Sequence, residues 1–192
     1  MPTVGVTDGA EQGGVVGDDG LLVVRCQLGE REAFRELVAV WHPALWRYVR
    51  GMVGSSHLAD DLVQEVWVAV VRGLPRLRQP ERFAPWLFTV ARRRVTDHLR
   101  QTYRAPETVM EDATAVVADD ELSGVLTTLQ IEAGLAALPP LEREVLILFH
   151  LQDLPLACCA EVLGVPAGTV KSRLHRARRM LRNHLAEKGH EA

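Results

Sequence analysis

From Asp153 to Leu185 the apolar residues of this chain recur every three or four positions, and the pattern breaks once, at Gly164 to Ala167. That spacing matches one face of an α-helix and does not match a strand. The stretch reads as a short helix from about Pro155 to Leu163, a tight connection over Val165 to Ala167, and a long helix to about Leu185. Two helices around so short a turn make a helix-turn-helix, the unit whose second helix enters the major groove of DNA. On that second helix Val170, Leu174, Ala177, Leu181 and Leu185 lie within about 80° of one another and form a buried stripe. Ser172, Arg176 and Arg179 fall opposite the stripe, with Lys171, Arg173, His175 and Arg182 on its shoulders. Six basic residues and no acid occupy 171 to 182, so the outward face suits a polyanion. Arginine grips guanine O6 and N7 bidentately, whereas Lys and Ser anchor phosphates.

The first half is helical as well. Phe34, Leu37, Val38 and Trp41 stand at helical spacing, and Leu45, Trp46 and Val49 continue it after Pro43, which is expected to start a separate segment. In "HLADDLVQEVWVAVVRGL" Leu62, Val63, Val66, Ala69 and Val70 share one face, and Asp60, Asp61, Gln64 and Glu65 share the other. Gly73, Pro75 and Pro80 make "GLPRLRQPERFAP" a basic, turn-rich connector containing Phe83. A helix then resumes, with Pro85 in its first turn and Arg92, Arg93 and Arg94 pointing in three directions around its axis. Aromatic rings beside arginines suit single-stranded nucleic acid, because bases stack on rings while cations hold the backbone; Trp86 also fits a core position. Pro139 and Pro140 open a further helix carrying Leu141, Val145, Leu148 and Phe149. No convincing strand alternation appears, so the fold class is all-α.

Charge divides the chain more sharply than its net value of -3 indicates. Between Arg72 and Arg104 nine arginines stand against two acids, Glu81 and Asp97; between Pro106 and Glu132 there are seven acids and no Lys or Arg. Two basic modules joined by an acidic linker are expected: a disordered leader over 1–20, a first helical domain over 21–105, the linker over 106–131 and a second helical domain over 132–187. No run approaches the roughly 18 apolar residues of a membrane span. The adjacent pair Cys158 and Cys159, with Cys26 left over, matches neither a disulfide framework nor ordinary zinc spacing, so a reducing, cytoplasmic setting without a metal is expected. Seven scattered histidines and no nucleophile or phosphate-loop motif argue against an enzyme and against a cofactor.

The segment "LPPLEREVLILFHLQDLPLACCAEVLGVPAGTVKSRLHRARRMLR" closely resembles region 4 of the extracytoplasmic-function group of bacterial RNA polymerase sigma factors, and residues 33 to 100, with DDLVQE and WLFTVAR, resemble their region 2. The resemblance covers about residues 21 to 185 in the family's order. It implies that the helix bearing Asp60, Asp61, Leu62, Gln64, Glu65 and Trp67 docks on the beta-prime clamp helices of the polymerase core, with the beta flap as the contact of region 4. It implies that Phe83, Trp86, Arg92, Arg93, Arg94, His98 and Arg100 serve minus-10 recognition and melting. Lys171, Ser172, Arg173, His175, Arg176 and Arg179 would read the minus-35 element of promoter DNA. A cognate anti-sigma factor is a further implied partner. Arg93 departs from the Asn often found at that position in the family, which leaves its minus-10 base preference open, and Cys158 and Cys159 stand where Glu and Ile are common. The alternative from another class is a helix-turn-helix repressor or activator that has no need of a polymerase-docking helix.

Overall fold

The computed structural model describes residues 19–102 and 130–187, and all regular structure among them is helical. Residues 1–18 of the expected leader and most of the acidic linker lie outside the described residues, while Asp19 and Gly20, expected in the leader, open the first helix. The first half comprises α1 (Asp19–Gln27), α2 (Arg31–Val53), α3 (Ser56–Gly73), two 3-10 turns (Leu74–Arg76 and Pro80–Arg82) and α4 (Phe83–Thr102). The second comprises α5 (residues 130–136), α6 (Pro140–Leu146), a π-turn (Ile147–Leu151), α7 (Leu156–Leu163) and α8 (Ala167–Glu187).

The expected break at Pro43 does not occur, because α2 runs through it as one 23-residue helix. Leu37, Trp41, Leu45, Tyr48, Val49 and Met52 form an unbroken buried stripe along it, while Pro43 lies on the exposed side. An interior proline costs about 3 kcal/mol, and each fully buried large side chain returns about 1.5–3 kcal/mol, so tertiary burial overrides the local preference. Gly54 then ends α2 in the left-handed conformation (φ 80°), and Ser55 caps α3 by accepting from the Leu58 amide.

Four aromatic rings bind α2 to α4. Trp41 meets Phe83 and Phe88 edge-on at 5.7 and 6.3 Å, and Tyr48 meets Phe88 at 5.4 Å. Phe83 is therefore the first residue of α4 and wholly buried, not a member of the connector. The Gln27 side-chain amide donates to the carbonyls of Leu74 (2.9 Å) and Leu77 (2.8 Å), pinning the basic connector to α1.

In the second half, α7 ends at Gly164 (φ 66°), and the Gly164 amide and those following it turn the chain into α8. Val170, Leu174 and Ala177 are buried against the rest of this half, as the helical period requires. Cys159 is buried, donates to the Leu154 carbonyl at 3.4 Å, and has its thiol pushed up to about 12 by burial and, secondarily, by Cys158; it acts as a small apolar side chain.

The halves also pack on each other, α4 against α7 and α2 against α6 and the π-turn. Ile147 lies so close to Gly51 that a Cβ there would stand 2.7 Å from the isoleucine Cδ1.

Candidate nucleic-acid interface

Helix α8 turns its cations outward because the opposite stripe is held in the core. Lys171, Ser172, His175, Arg176 and Arg179 are exposed and Arg173 is half-buried. The Ser172 hydroxyl donates to the Thr169 carbonyl at 3.0 Å, closing the first turn of the helix. Arg176 pairs at 2.5 Å with Glu142 of α6, whose side chain is only 7 % exposed. Arg178, basic but given no DNA role by the sequence, faces elsewhere: it lies over the Phe149 ring at 5.6 Å and its Nε donates to His150 Nε2 at 3.0 Å. Burial and the neighbouring guanidinium hold His150 below its ordinary pKa, which preserves the lone pair that accepts from Arg178.

Of the seven residues expected at the minus-10 element, Phe83 and Arg92 lie apart from the other five, which line two adjoining clefts. Phe83 is removed from the set, since a ring with no exposed area has nothing to offer a base. Trp86, Arg93 and Arg94 line a cleft with Arg76 and Arg78 of the connector and Asp97. The Trp86 ring lies over Gly73, where a Cβ would approach its Cζ2 to 2.9 Å. Arg76 and Arg78 were marked in the sequence only by the basic connector they belong to, and they join Trp86 because the two 3-10 turns fold that connector back along α4. His98 and Arg100 border a second, polar cleft with Glu65 and Leu62 of α3, which adjoins the first through their shared Arg94 and Asp97. Arg92 faces a third way, its Nε donating to both oxygens of Glu144 at 3.1 and 3.3 Å.

On α3, Asp60, Asp61, Gln64 and Glu65 are exposed as the period demands. Leu62 is a core residue and not part of that outer face. Asp60 accepts from the Trp46 indole at 2.7 Å, and Asp61 lies 3.4 Å from His57. Trp67 is half-buried, edge-on to Phe34 at 6.1 Å, with its indole donating to His42 at 3.3 Å. Val68 and Val71 are apolar yet exposed beside the acids, an addition the sequence pattern did not single out.

Two family models match this chain, Sigma-70 region 2 over residues 37–105 and Sigma-70, region 4 over residues 128–181. The ECF RNA polymerase sigma factor ShbA of Streptomyces griseus subsp. griseus is 33% identical over 177 residues, spanning 85% of this chain and 93% of that protein. This chain belongs to the ECF RNA polymerase sigma factors. Among other relatives, SigW of Bacillus subtilis is 26% identical over 174 residues (83% of this chain, 92% of that one). SigC of Mycobacterium tuberculosis is 30% identical over 161 residues (82% and 85%). The fold is similar to that of CnrH, solved in complex with the cytosolic domain of CnrY (TM-score 0.69, 26% identity, 89% of this chain and 99% of that one). It is also similar to that of the sigma factor RpoE of Bartonella quintana, solved in complex with the anti-sigma factor NepR (TM-score 0.67, 22% identity, 80% and 96%). The sigma factor is thus a factor for promoter-directed transcription initiation by RNA polymerase, and the free-standing repressor alternative is not favoured, since a region 2 match spans α3 and α4. Among the described residues no helix is long and apolar enough to cross a membrane.

Proposed function

We propose that this sigma factor reads a minus-35 element in duplex form with the outward face of α8 and captures the opened minus-10 strand in the cleft around Trp86. The observation that carries the reading is the placement of Lys171, His175 and Arg179 on the exposed side of a helix that directly follows a helix-turn-helix turn, with Arg176 beside them held by Glu142. Arginines at such positions discriminate a guanine by about 1–3 kcal/mol per bidentate pair. In the cleft, Trp86 offers a ring edge and face for an unstacked base, while Arg76, Arg78, Arg93 and Arg94 supply cations for the strand that carries it. The exposed acids Asp61 and Glu65 and the amide of Gln64, with Val68 and Val71 beside them, supply a docking face for the polymerase core. The protein does no covalent chemistry in this scheme: binding energy selects the promoter and favours the open strand, and nucleotide transfer belongs to the core. Its place of action is the cytoplasm, and an anti-sigma factor covering the docking faces is the partner expected from the complexes of CnrH and RpoE.

The test is transcription of the host's genomic DNA by purified core polymerase with and without the protein, mapping transcript 5′ ends. New discrete start sites sharing two upstream elements are the expected result. An active core that gains no start sites from folded protein would overturn the proposal.

A further inference from the structure

Glu144 is an unusual place to spend a carboxylate. It sits on α6 with its side chain 5 % exposed, yet both oxygens face the other half of the molecule. Tyr48 of α2 donates its hydroxyl to Oε1 at 2.8 Å, and Arg92 of α4 donates its Nε. Tyr48 is itself fully buried, and burial with the nearby carboxylate raises its pKa well above the ordinary value, so its hydroxyl remains a donor. A carboxylate this deep is tolerated only while its partners stay in place. Around it, Arg143 donates to the Met52 carbonyl at 3.3 Å, Arg82 pairs with Glu161 of α7, and Ile147 fills the space over Gly51. Arg82 and Arg92 belong to the same basic segment as the cleft cations Arg76, Arg78, Arg93 and Arg94, with Arg92 next to Arg93 on α4, and both partner acids come from the second half.

Distance gives this seam its meaning. Elements centred near minus-35 and minus-10 are about 25 base pairs apart, or about 85 Å of duplex at 3.4 Å per base pair. A compact chain of 192 residues has a radius of gyration of about 16 Å. The packed arrangement is too short to occupy both elements together. We propose that Glu144, Tyr48 and Arg92 form an intramolecular clasp that holds the two halves in a closed state, with Glu144 occupying the cation that a DNA phosphate needs. Closure and promoter binding then compete for Arg92, and by linkage each weakens the other. The DNA side of this inference rests on the role proposed above for α4, to which Arg92 is added once Glu144 releases it; the closed state itself does not.

The test uses the full chain and two variants, Glu144→Gln and Glu161→Gln, with two readouts: the radius of gyration by small-angle X-ray scattering and affinity for a fluorescein-labelled 20-nucleotide single strand at fixed salt. Glu144→Gln is expected to expand the protein and tighten strand binding at least about fivefold, with a smaller change in the same direction for Glu161→Gln, whose pair is more exposed. If Glu144→Gln loses its helical circular dichroism, Glu161→Gln alone must produce both changes. Unchanged dimensions overturn the clasp. Expansion with measurable but unchanged affinity overturns its inhibitory role. Expansion while no form of the protein binds the strand leaves the clasp in place and faults the DNA reading of α4.

Discussion

Helices α4 and α8 carry similar densities of arginine, but their guanidinium groups lead different lives. On α8, Arg179 projects from a surface with no acid of the same helix near it, and only Arg176 is held by a buried acid, Glu142 of its own half. On α4, Arg92 is drawn into a seam by an acid more than fifty positions later in the chain, while Arg93 and Arg94 stay exposed one and two residues away. A count of positive charges treats these arginines as equal. Their availability to DNA is set by which of them a second helix reaches first, because a charge paired in a low-dielectric seam is already neutralised before any ligand arrives.

The largest expected effect tests whether the α8 face depends on the core beneath it. Leu174→Ala deletes a buried side chain under that face and is expected to cost about 2–5 kcal/mol of stability, read from urea unfolding. A loss near zero would mean that α8 is not held by that stripe. Next, Arg176→Ala should cost about 1–3 kcal/mol of stability, since it strands the Glu142 carboxylate. Arg179→Ala should leave stability within about 0.5 kcal/mol while losing about 1–3 kcal/mol of discrimination between the native minus-35 sequence and a scrambled one. Equal weakening on both DNAs would make Arg179 a phosphate anchor. On the third charged surface, Asp61→Ala with Glu65→Ala removes two exposed acids of α3, so polymerase-core affinity should fall several-fold with the unfolding midpoint unchanged. Retained core affinity would move the docking face elsewhere.

The smallest effect concerns the one α8 arginine that faces a ring. His150 has a folded pKa below the 6.5 of the free side chain, chiefly from burial and then from Arg178, opposed by Asp153. As pH falls through that value the unfolded chain takes up the proton first. Stability associated with His150 is therefore full above about 6.5 and is lost as pH drops toward the depressed folded pKa. Urea unfolding at pH 7.5 and pH 5 should show a smaller decline for His150→Gln than for the parent; identical declines would show that the contact carries no linkage.

Much of the molecule was legible in its sequence because helical periodicity is a local property. The turn at Gly164, the buried stripe of Val170, Leu174 and Ala177, and the acidic outer face of α3 all follow from spacing of three and four residues. Phe83 and Pro43 misled for one shared reason: each is locally ambiguous, and packing resolved it, whereas Leu62 was rightly placed on the inner face by its spacing and was turned outward only by the family resemblance. A phenylalanine among prolines and arginines looks like a connector residue until Trp41 and Trp86 close around it. Nothing in the spacing of "LEREVL" marks Glu142 and Glu144 for burial, because their partners come from other helices.

The sequence by itself determined the helical class, the two basic modules, the helix-turn-helix and, through its motifs, the family. Only the tertiary structure decided which arginines are open to a phosphate and which are engaged by Glu142, Glu144 and Glu161. The physical reason is range. Helical faces are set by neighbours three and four residues away, whereas the partner of a charge is chosen by whatever long-range packing brings within hydrogen-bond distance and shields from water.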